Sequence, residues 1–146
     1  MSEQQKNPQV VYDDAAEEAL FLAARKAQIA EDMQKPFDPE AVLEVRHLRK
    51  CFPLKKTITG KVTQELIAVD DVSFKLKAGE TLGIVGESGC GKTTMGRAIL
   101  KLHQPTGGQI IFNGQDITNY NSAQMRPIRE QMQIIFQDPY SSLPPP

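Results

Sequence analysis

The spacing of apolar residues divides the chain near residue 40. From Ala16 to Ala30 they recur at intervals that line one face of a helix, and the pattern stops at Pro36, whose ring does not fit a helix interior. Most residues of this face are alanine, so the face can bury little apolar area. We therefore expect residues 1–40 to form a helical N-terminal arm that is either lightly packed or bound to a partner.

After residue 40 the apolar positions alternate with polar ones. The alternation runs through Leu43 and Val45 and returns at Val72 and Phe74, which is typical of half-exposed antiparallel strands. The next apolar stretch, Thr81–Val85, is continuous and short. A continuous run of this length predicts a buried strand of a parallel sheet.

The remainder of the chain predicts two more helices and two short β elements. A helix is expected from about Lys92 to His103, with its buried face formed by Met95, Ala98, Ile99 and Leu102. A hairpin is expected around the turn Asn113-Gly114. A weaker helix is predicted over residues 122–130, and a short strand over residues 134–136.

Between the continuous apolar stretch and the following helix lies the motif G-x-x-x-x-G-K-[ST], formed by residues 86–93. Its glycines let the backbone approach a polyphosphate, and its successive N–H groups form an anion site at the positive end of the helix. Lys92 can reach the outer phosphates as a point charge, and Thr93 offers a hydroxyl to Mg²⁺. This strand–loop–helix context predicts a loop that binds nucleotide phosphates.

Composition argues against several classes of protein but does not identify a function. The 146 residues are 40% hydrophobic and 24% charged, with a formal net charge of -1, so a general nucleic-acid binder is not indicated. Cys51 and Cys90 do not make a disulfide framework, and a reduced, cytosolic compartment fits. The longest apolar run, Ala19–Ala24, is too short to cross a bilayer.

Three landmarks resemble the ABC ATPases. These are the loop Gly86-Glu87-Ser88-Gly89-Cys90-Gly91-Lys92-Thr93-Thr94, the preceding strand Ala68-Val69-Asp70-Asp71-Val72-Ser73-Phe74, and the Q-loop-like Ile134-Ile135-Phe136-Gln137-Asp138-Pro139. Residues 51–56 and 136–144 are also similar to the ATP-binding subunits of oligopeptide and dipeptide importers. The resemblance covers about residues 42–143.

The resemblance implies an ABC-type ATPase that uses ATP and Mg²⁺, and it assigns roles to residues at matching positions. Phe52 and Val69 would contact adenine. The phosphates would be held by Gly86, Glu87, Ser88, Gly89, Cys90, Gly91, Lys92, Thr93 and Thr94. Thr93 and Gln137 would bind the metal, and the catalytic roles would belong to Lys92 and Gln137, the latter touching the attacking water.

The same resemblance implies a place in a larger assembly. Its partners would be a second ATP-binding subunit, membrane permease subunits and a substrate-binding protein, with no nucleic acid. The protein would be cytoplasmic and peripheral on the inner face of the cell membrane. It would couple ATP binding and hydrolysis to import of peptides or related small solutes.

The sequence departs from the family by what it lacks. It contains no Leu-Ser-Gly-Gly-Gln signature, no Walker B strand and no switch histidine, and Pro144-Pro145-Pro146 stands where this branch usually has Asn-Pro. We expect the sequence to be an N-terminal part of a longer ATPase. Because phosphoryl transfer depends on groups that the missing motifs supply, we expect nucleotide binding with little or no hydrolysis by this chain alone.

Two other functions stay open at this point. One is another P-loop NTPase, such as a small-molecule kinase or a GTPase, which would lack the Q-loop and the upstream adenine-stacking strand. The other is a non-catalytic, nucleotide-responsive binding module whose arm recruits a partner. The predicted fold class is α/β: an arm over residues 1–40, then a partial P-loop NTPase core over residues 41–146, with an antiparallel β subdomain followed by the start of a parallel sheet.

Overall fold

The computed structural model describes residues 14–56, 60 and 62–135. Contacts divide the chain into two compact units, residues 1–34 and residues 35–146. Each unit has its own secondary structure.

The first unit contains a single described helix, α1 (Asp14–Gln34). It ends ahead of Pro36, as the sequence predicts. Its largest apolar side chains face solvent, because Leu20 is 73% exposed and Phe21 is 66% exposed. The described part of this helix therefore buries little apolar surface, in agreement with its alanine-rich face.

The second unit is organised around one four-stranded sheet. Its strands are β1 (Ala41–Lys56), β2 (Val62–Lys77), β3 (Gly107–Phe112) and β4 (Gln115–Asp116). The strand order is β2-β1-β3-β4, and every pair is antiparallel. The antiparallel β subdomain expected from the alternating residues is therefore confirmed.

Two helices cover the sheet and complete the core. They are α2 (Lys92–Ile99) and α3 (Ser122–Gln131). The side chains of both helices share one cluster with those of the strands, formed by Val45, Leu48, Val69, Met95, Ala98, Ile99, Ile110, Phe112, Ile117, Met125 and Ile128. This shared cluster fixes α2, whose first turn follows the glycine-rich loop, against the sheet.

The β3–β4 hairpin confirms the predicted tight turn. Asn113 has φ 47° and Gly114 has φ 74°, as a two-residue type I′ turn requires. Asn-Gly is the favoured sequence for this turn because both residues tolerate positive φ.

A buried ion pair on β1 binds the segment that leads into the sheet. Nε of Arg46 donates to Glu44 at 2.8 Å, and its two terminal nitrogens donate to the carbonyl oxygens of Lys35 and Pro36, each at 2.8 Å. Burial raises the pKa of Glu44, but hydrogen bonds from Arg46 and from the backbone of Asp38 outweigh this, so its pKa lies below the ordinary value.

The predicted parallel strand at residues 81–85 is wrong. This segment has no regular secondary structure, and Leu82, Ile84 and Val85 are 43%, 46% and 97% exposed. A strand needs neighbours that accept its N–H groups and donate to its carbonyls. Among the described residues no strand pairs with this segment, so an apolar sequence alone does not produce the start of a parallel sheet.

Two other predicted elements also differ from the structure. The helix ends at Ile99 rather than near His103, and Leu102 is 47% exposed. Lys101 takes φ 53°, its N–H donates to Ala98, and the N–H of Leu102 donates to Arg97 at 2.8 Å. These bonds form a Schellman motif, which ends a helix.

The short strand expected over residues 134–136 is also not formed where the structure describes it. Residues 134 and 135 have no regular secondary structure, and Ile135 is 95% exposed. Phe136 lies outside the described residues.

Candidate functional site

The glycine-rich loop connects residues 81–85 to α2 and depends on glycine at specific positions. Gly89 has φ 82° and Gly91 has φ 96°, a region that side chains disfavour. A Cβ atom on Gly91 would lie 2.1 Å from the carbonyl oxygen of Ala68 on β2. The loop can therefore lie this close to β2 only because residue 91 has no side chain.

Helix α2 begins immediately after this loop with its N-terminal N–H groups open. Its N-cap is Gly91, no side chain caps it, and its first turn contains no acidic residue. The first N–H groups of a helix have no acceptor within the helix, and the helix dipole makes this end positive. The loop and helix together therefore favour an anion with several oxygen atoms.

The ammonium group of Lys92 lies within the same loop. Nζ donates to the carbonyl oxygens of Gly86 and Glu87, the latter at 2.7 Å, and it lies 3.3 Å from Sγ of Cys90. These partners all belong to the loop, so the loop surrounds the positively charged ammonium group of Lys92. Phosphate oxygens can replace such carbonyls because both accept hydrogen bonds from an ammonium group.

A cleft of about 570 Å³ opens in front of the loop. Phe52 lines it together with the loop residues Ser88, Gly89, Cys90, Gly91, Lys92, Thr93 and Thr94. A volume in this range suits a ligand the size of a nucleotide. The structure thus brings Phe52, which lies 36 residues before Ser88 in the sequence, to the phosphate-binding residues.

Three residues that the sequence suggested for this site do not line the cleft. Val69 is only 5% exposed and belongs to the hydrophobic core, where its Cγ2 atom would be 3.8 Å from a Cβ atom on Gly91. Gly86 and Glu87 contribute the carbonyls that bind Lys92, rather than lining the cleft. Gln137 lies outside the described residues.

The cleft also has a wall that sequence reasoning missed. Leu66, Ile67 and Ala68 of β2 line it, and Leu66 pairs with Phe52 across the sheet. Leu66 is 53% exposed and Ile67 is 49% exposed. The continuous apolar run Leu66–Val69 was the available signal, because alternate residues of such a run in a strand must point away from the core.

Comparison with known proteins decides which family shares this arrangement. Residues 69–145, just over half of the chain, match the family model described as ABC transporter. The chain belongs to the ABC transporter family. The sequence resemblance to this family is confirmed.

The ABC chain is similar to ATP-binding proteins of the oligopeptide and glutathione importer branch. It is 50% identical over 107 residues to the oligopeptide transport ATP-binding protein AppF of Bacillus subtilis strain 168, covering 73% of this chain and 32% of that protein. It is 52% identical over 108 residues to the glutathione import ATP-binding protein GsiA of Escherichia coli strain K12, covering 74% of this chain and 17% of that protein. The chain therefore spans a third or less of these relatives.

Solved structures agree on the fold. The chain matches cbiO1 from Clostridium perfringens, described as part of the ABC transporter complex cbiONQ, with a TM-score of 0.55 and 26% identity over 71% of this chain and 37% of that one. It matches the dimeric ABC transporter cassette MJ0796 with a TM-score of 0.52 and 24% identity over 60% of this chain and 34% of that one. Among the described residues, no helix has the length and apolar character needed to cross a membrane.

Proposed function

We propose that this ABC chain binds ATP with Mg²⁺ in the cleft between Phe52 and the glycine-rich loop. The observation that supports this most directly is the set of groups around one cleft: open N–H groups of α2, a lysine ammonium and an aromatic ring. The first two suit a polyphosphate, and the third suits a planar base. A nucleoside polyphosphate such as ATP combines both chemical features in one ligand.

Individual residues take the following roles in this proposal. The backbone from Gly86 to Thr94 holds the phosphates, and Lys92 exchanges its loop carbonyls for phosphate oxygens. The hydroxyl of Thr93 would bind Mg²⁺, which prefers oxygen ligands and would neutralise phosphate charge. Gln137 would be the second residue to bind the metal and would contact the attacking water, and the adenine contact of Val69 stays a prediction.

For the longer protein we propose an ATPase subunit that drives import of peptides or related small solutes. The similarity to AppF and GsiA supports this. Its partners would be a second ATP-binding subunit, membrane permease subunits and a substrate-binding protein at the inner face of the cell membrane. Hydrolysis would belong to that assembly, and this chain alone would bind nucleotide with little turnover.

The test is the affinity of the chain for a fluorescent ATP analogue with Mg²⁺. Lys92→Ala should weaken binding at least tenfold, which corresponds to roughly 1.4 kcal/mol. Lys55→Ala is the matched control, because Lys55 is an exposed lysine on β1 outside the cleft. Equal affinity of the wild-type chain and Lys92→Ala, or no saturable binding by the wild-type chain, would refute the proposal.

A second candidate is a nucleotide-responsive module whose arm recruits a partner. The exposed Leu20 and Phe21 on α1 favour it, since large apolar side chains at a surface often mark interaction sites. Removing residues 1–34 tests it better than removing residues 1–40, because Arg46 binds the carbonyls of Lys35 and Pro36. The module predicts lost capture of the permease subunits with nucleotide affinity unchanged, whereas retained capture would exclude it.

A further inference from the structure

The ring of Phe52 is held by two neighbours that belong to different parts of the chain. Its centroid lies 5.7 Å from that of His103, and the two rings meet edge to face at 87°. Nζ of Lys50 lies 4.7 Å from the centroid of the Phe52 ring. Both geometries are attractive, because the face of an aromatic ring is negative and its edge is positive.

Lys50 and Phe52 can share this contact because they are two residues apart on β1 and therefore point to the same face of the strand. The ammonium of Lys50 is itself fixed, since Nζ donates to the carbonyl oxygen of Gln104 at 2.8 Å. It thus links the Phe52 ring to the segment that follows α2.

That segment is bound to β1 by further hydrogen bonds. The N–H of Thr106 donates to the carbonyl of Arg49 at 2.9 Å, and the N–H of Cys51 donates to Oγ1 of Thr106 at 3.1 Å. His103 therefore stands on a segment that is tied to the strand carrying Phe52. Such a support restricts how far the ring can rotate or shift.

The two supports lie outside the cleft, whereas the ring they hold lies at its wall. Phe52 lines the cleft with Leu66 and the glycine-rich loop, but neither Lys50 nor His103 is among the lining residues. Their contacts therefore leave the cleft side of the ring open to a ligand.

We propose that Lys50 and His103 are positioning residues that hold the Phe52 ring as one wall of a pocket for the nucleotide base. This inference rests on the proposed function, since it concerns the same cleft. It divides recognition into two independent parts: the glycine-rich loop with Lys92 binds the phosphates, and the supported ring binds the base. A pre-positioned ring loses little freedom when a base stacks on it, which improves affinity.

The test compares two probes, MgATP and magnesium tripolyphosphate, which carry the same phosphate chain with and without a nucleoside. Their dissociation constants are measured by calorimetry for the wild-type chain and for Lys50→Met and His103→Leu. We expect both variants to bind MgATP three- to tenfold more weakly and to bind tripolyphosphate as the wild-type chain does. Unchanged tripolyphosphate binding also shows that each variant is folded at the loop.

Three control variants sharpen the result. Lys50→Arg keeps the cation and should retain most of the affinity for MgATP. Lys55→Met removes an exposed lysine from the same strand and should change neither constant. Lys92→Ala should weaken both probes, because it acts on the phosphates.

Each possible outcome decides the inference. Parallel loss of both probes in Lys50→Met and His103→Leu would show a general structural role and overturn it. Wild-type affinity of both variants for MgATP would overturn it as well, while leaving the proposed function intact. A wild-type chain that binds neither probe would overturn the proposed function, and this inference with it.

Discussion

Two lysines stand at opposite ends of helix α2, and both donate hydrogen bonds to backbone carbonyl oxygens. Lys92, its first residue, binds the carbonyls of Gly86 and Glu87 in the loop directly before it, where it is only half buried. Lys101, two residues beyond the helix, is 7% exposed. It binds the carbonyls of three later residues, Ile117, Thr118 and Tyr120, at 3.2, 2.7 and 2.5 Å.

The difference between the two ends follows from their electrostatics. Lys92 adds a positive charge to the positive end of a helix, so this end gains from an anion that neutralises both. Lys101 sits at the negative end, where a cation is already favoured. Burial and the neighbouring Arg129 lower the pKa of Lys101, while Asp116 acts in the opposite direction. The same residue type therefore stands in the proposed phosphate site at one end and stabilises the fold at the other.

The largest expected effect comes from breaking the C-terminal contact. Lys101→Met leaves three carbonyls without their donor in a buried site. Hydrogen bonds to a charged group contribute about 1.5–3 kcal/mol each. We expect the free energy of unfolding, measured in urea, to fall by about 2–4 kcal/mol because the carbonyls regain part of their hydration.

Two controls separate the ammonium from the backbone at this position. Lys101→Gly also removes the ammonium but relieves the positive φ, so it should cost about 1 kcal/mol less than Lys101→Met. Lys92→Met should change stability by less than about 0.5 kcal/mol, as for an ordinary surface site. If Lys92→Met destabilised the chain as much as Lys101→Met does, the contrast between the two ends would be wrong.

The next effect concerns the loop at the N-terminal end. Gly91→Ala would place a Cβ atom 2.1 Å from the carbonyl of Ala68, so the loop must move away from β2. We expect the affinity for the fluorescent ATP analogue to fall more than tenfold, or roughly 1.4 kcal/mol. Gly89→Ala is the matched variant, because it shares a positive φ but has no atom within 4 Å of the added Cβ. Equal losses would show that backbone strain alone, and not the approach to β2, matters.

Much of the fold and of the phosphate loop could be predicted from the sequence, because these parts depend on local patterns. Alternating residues predicted β1 and β2, Asn113-Gly114 predicted the hairpin, and the apolar spacing predicted the buried face of α2. Each of these signals acts over a few residues and needs no distant partner. The phosphate-loop motif belongs to the same class, since its glycines and lysine are adjacent in the chain.

What the sequence could not predict depends on distant residues. The apolar run at residues 81–85 suggested a strand, yet a strand requires neighbours that sequence pattern alone does not supply. No glycine marks the end of α2 in the sequence. Lys101 takes the left-handed conformation there instead, and its ammonium group binds carbonyls 16 to 19 residues later in the chain. No local pattern connects His103 with Phe52, and only the fold brings the two rings together.

A smaller effect is expected from Arg129, which shares the C-terminal end with Lys101. Its guanidinium donates to the carbonyls of Leu100 at 3.4 Å and of Lys101 at 3.0 Å, the two residues that follow α2. Arg129→Met should lower the free energy of unfolding by about 1 kcal/mol. Arg126→Met, an exposed arginine on the same helix, should have no measurable effect in the same urea titration. An equal loss of stability in Arg126→Met and Arg129→Met would show that the Arg129 contacts do not account for the effect.

The last and smallest effect concerns Asp116, which lies near Lys101. We expect the free energy of unfolding to fall when acid protonates this carboxylate. Burial raises the pKa of Asp116, but hydrogen bonds from Thr118 and Gln109 outweigh it, so its pKa lies below the ordinary 3.8. A lowered pKa in the folded state adds stability above pH 3.8, and this is lost as the pH falls through the folded value.

Urea unfolding between pH 5 and pH 3 checks this directly, because a carboxylate that ionises more readily when folded makes stability fall with acid. Asp116→Asn should reduce the slope of unfolding free energy against pH in this range, while Glu130→Gln, which alters an exposed carboxylate on α3, should leave it unchanged. Nucleotide affinity of Asp116→Asn at neutral pH should equal that of the wild-type chain, since the phosphate loop lies at the other end of α2. An unchanged slope in Asp116→Asn would show that other carboxylates control the acid response, and a loss of nucleotide affinity would show that the two ends of α2 are not independent.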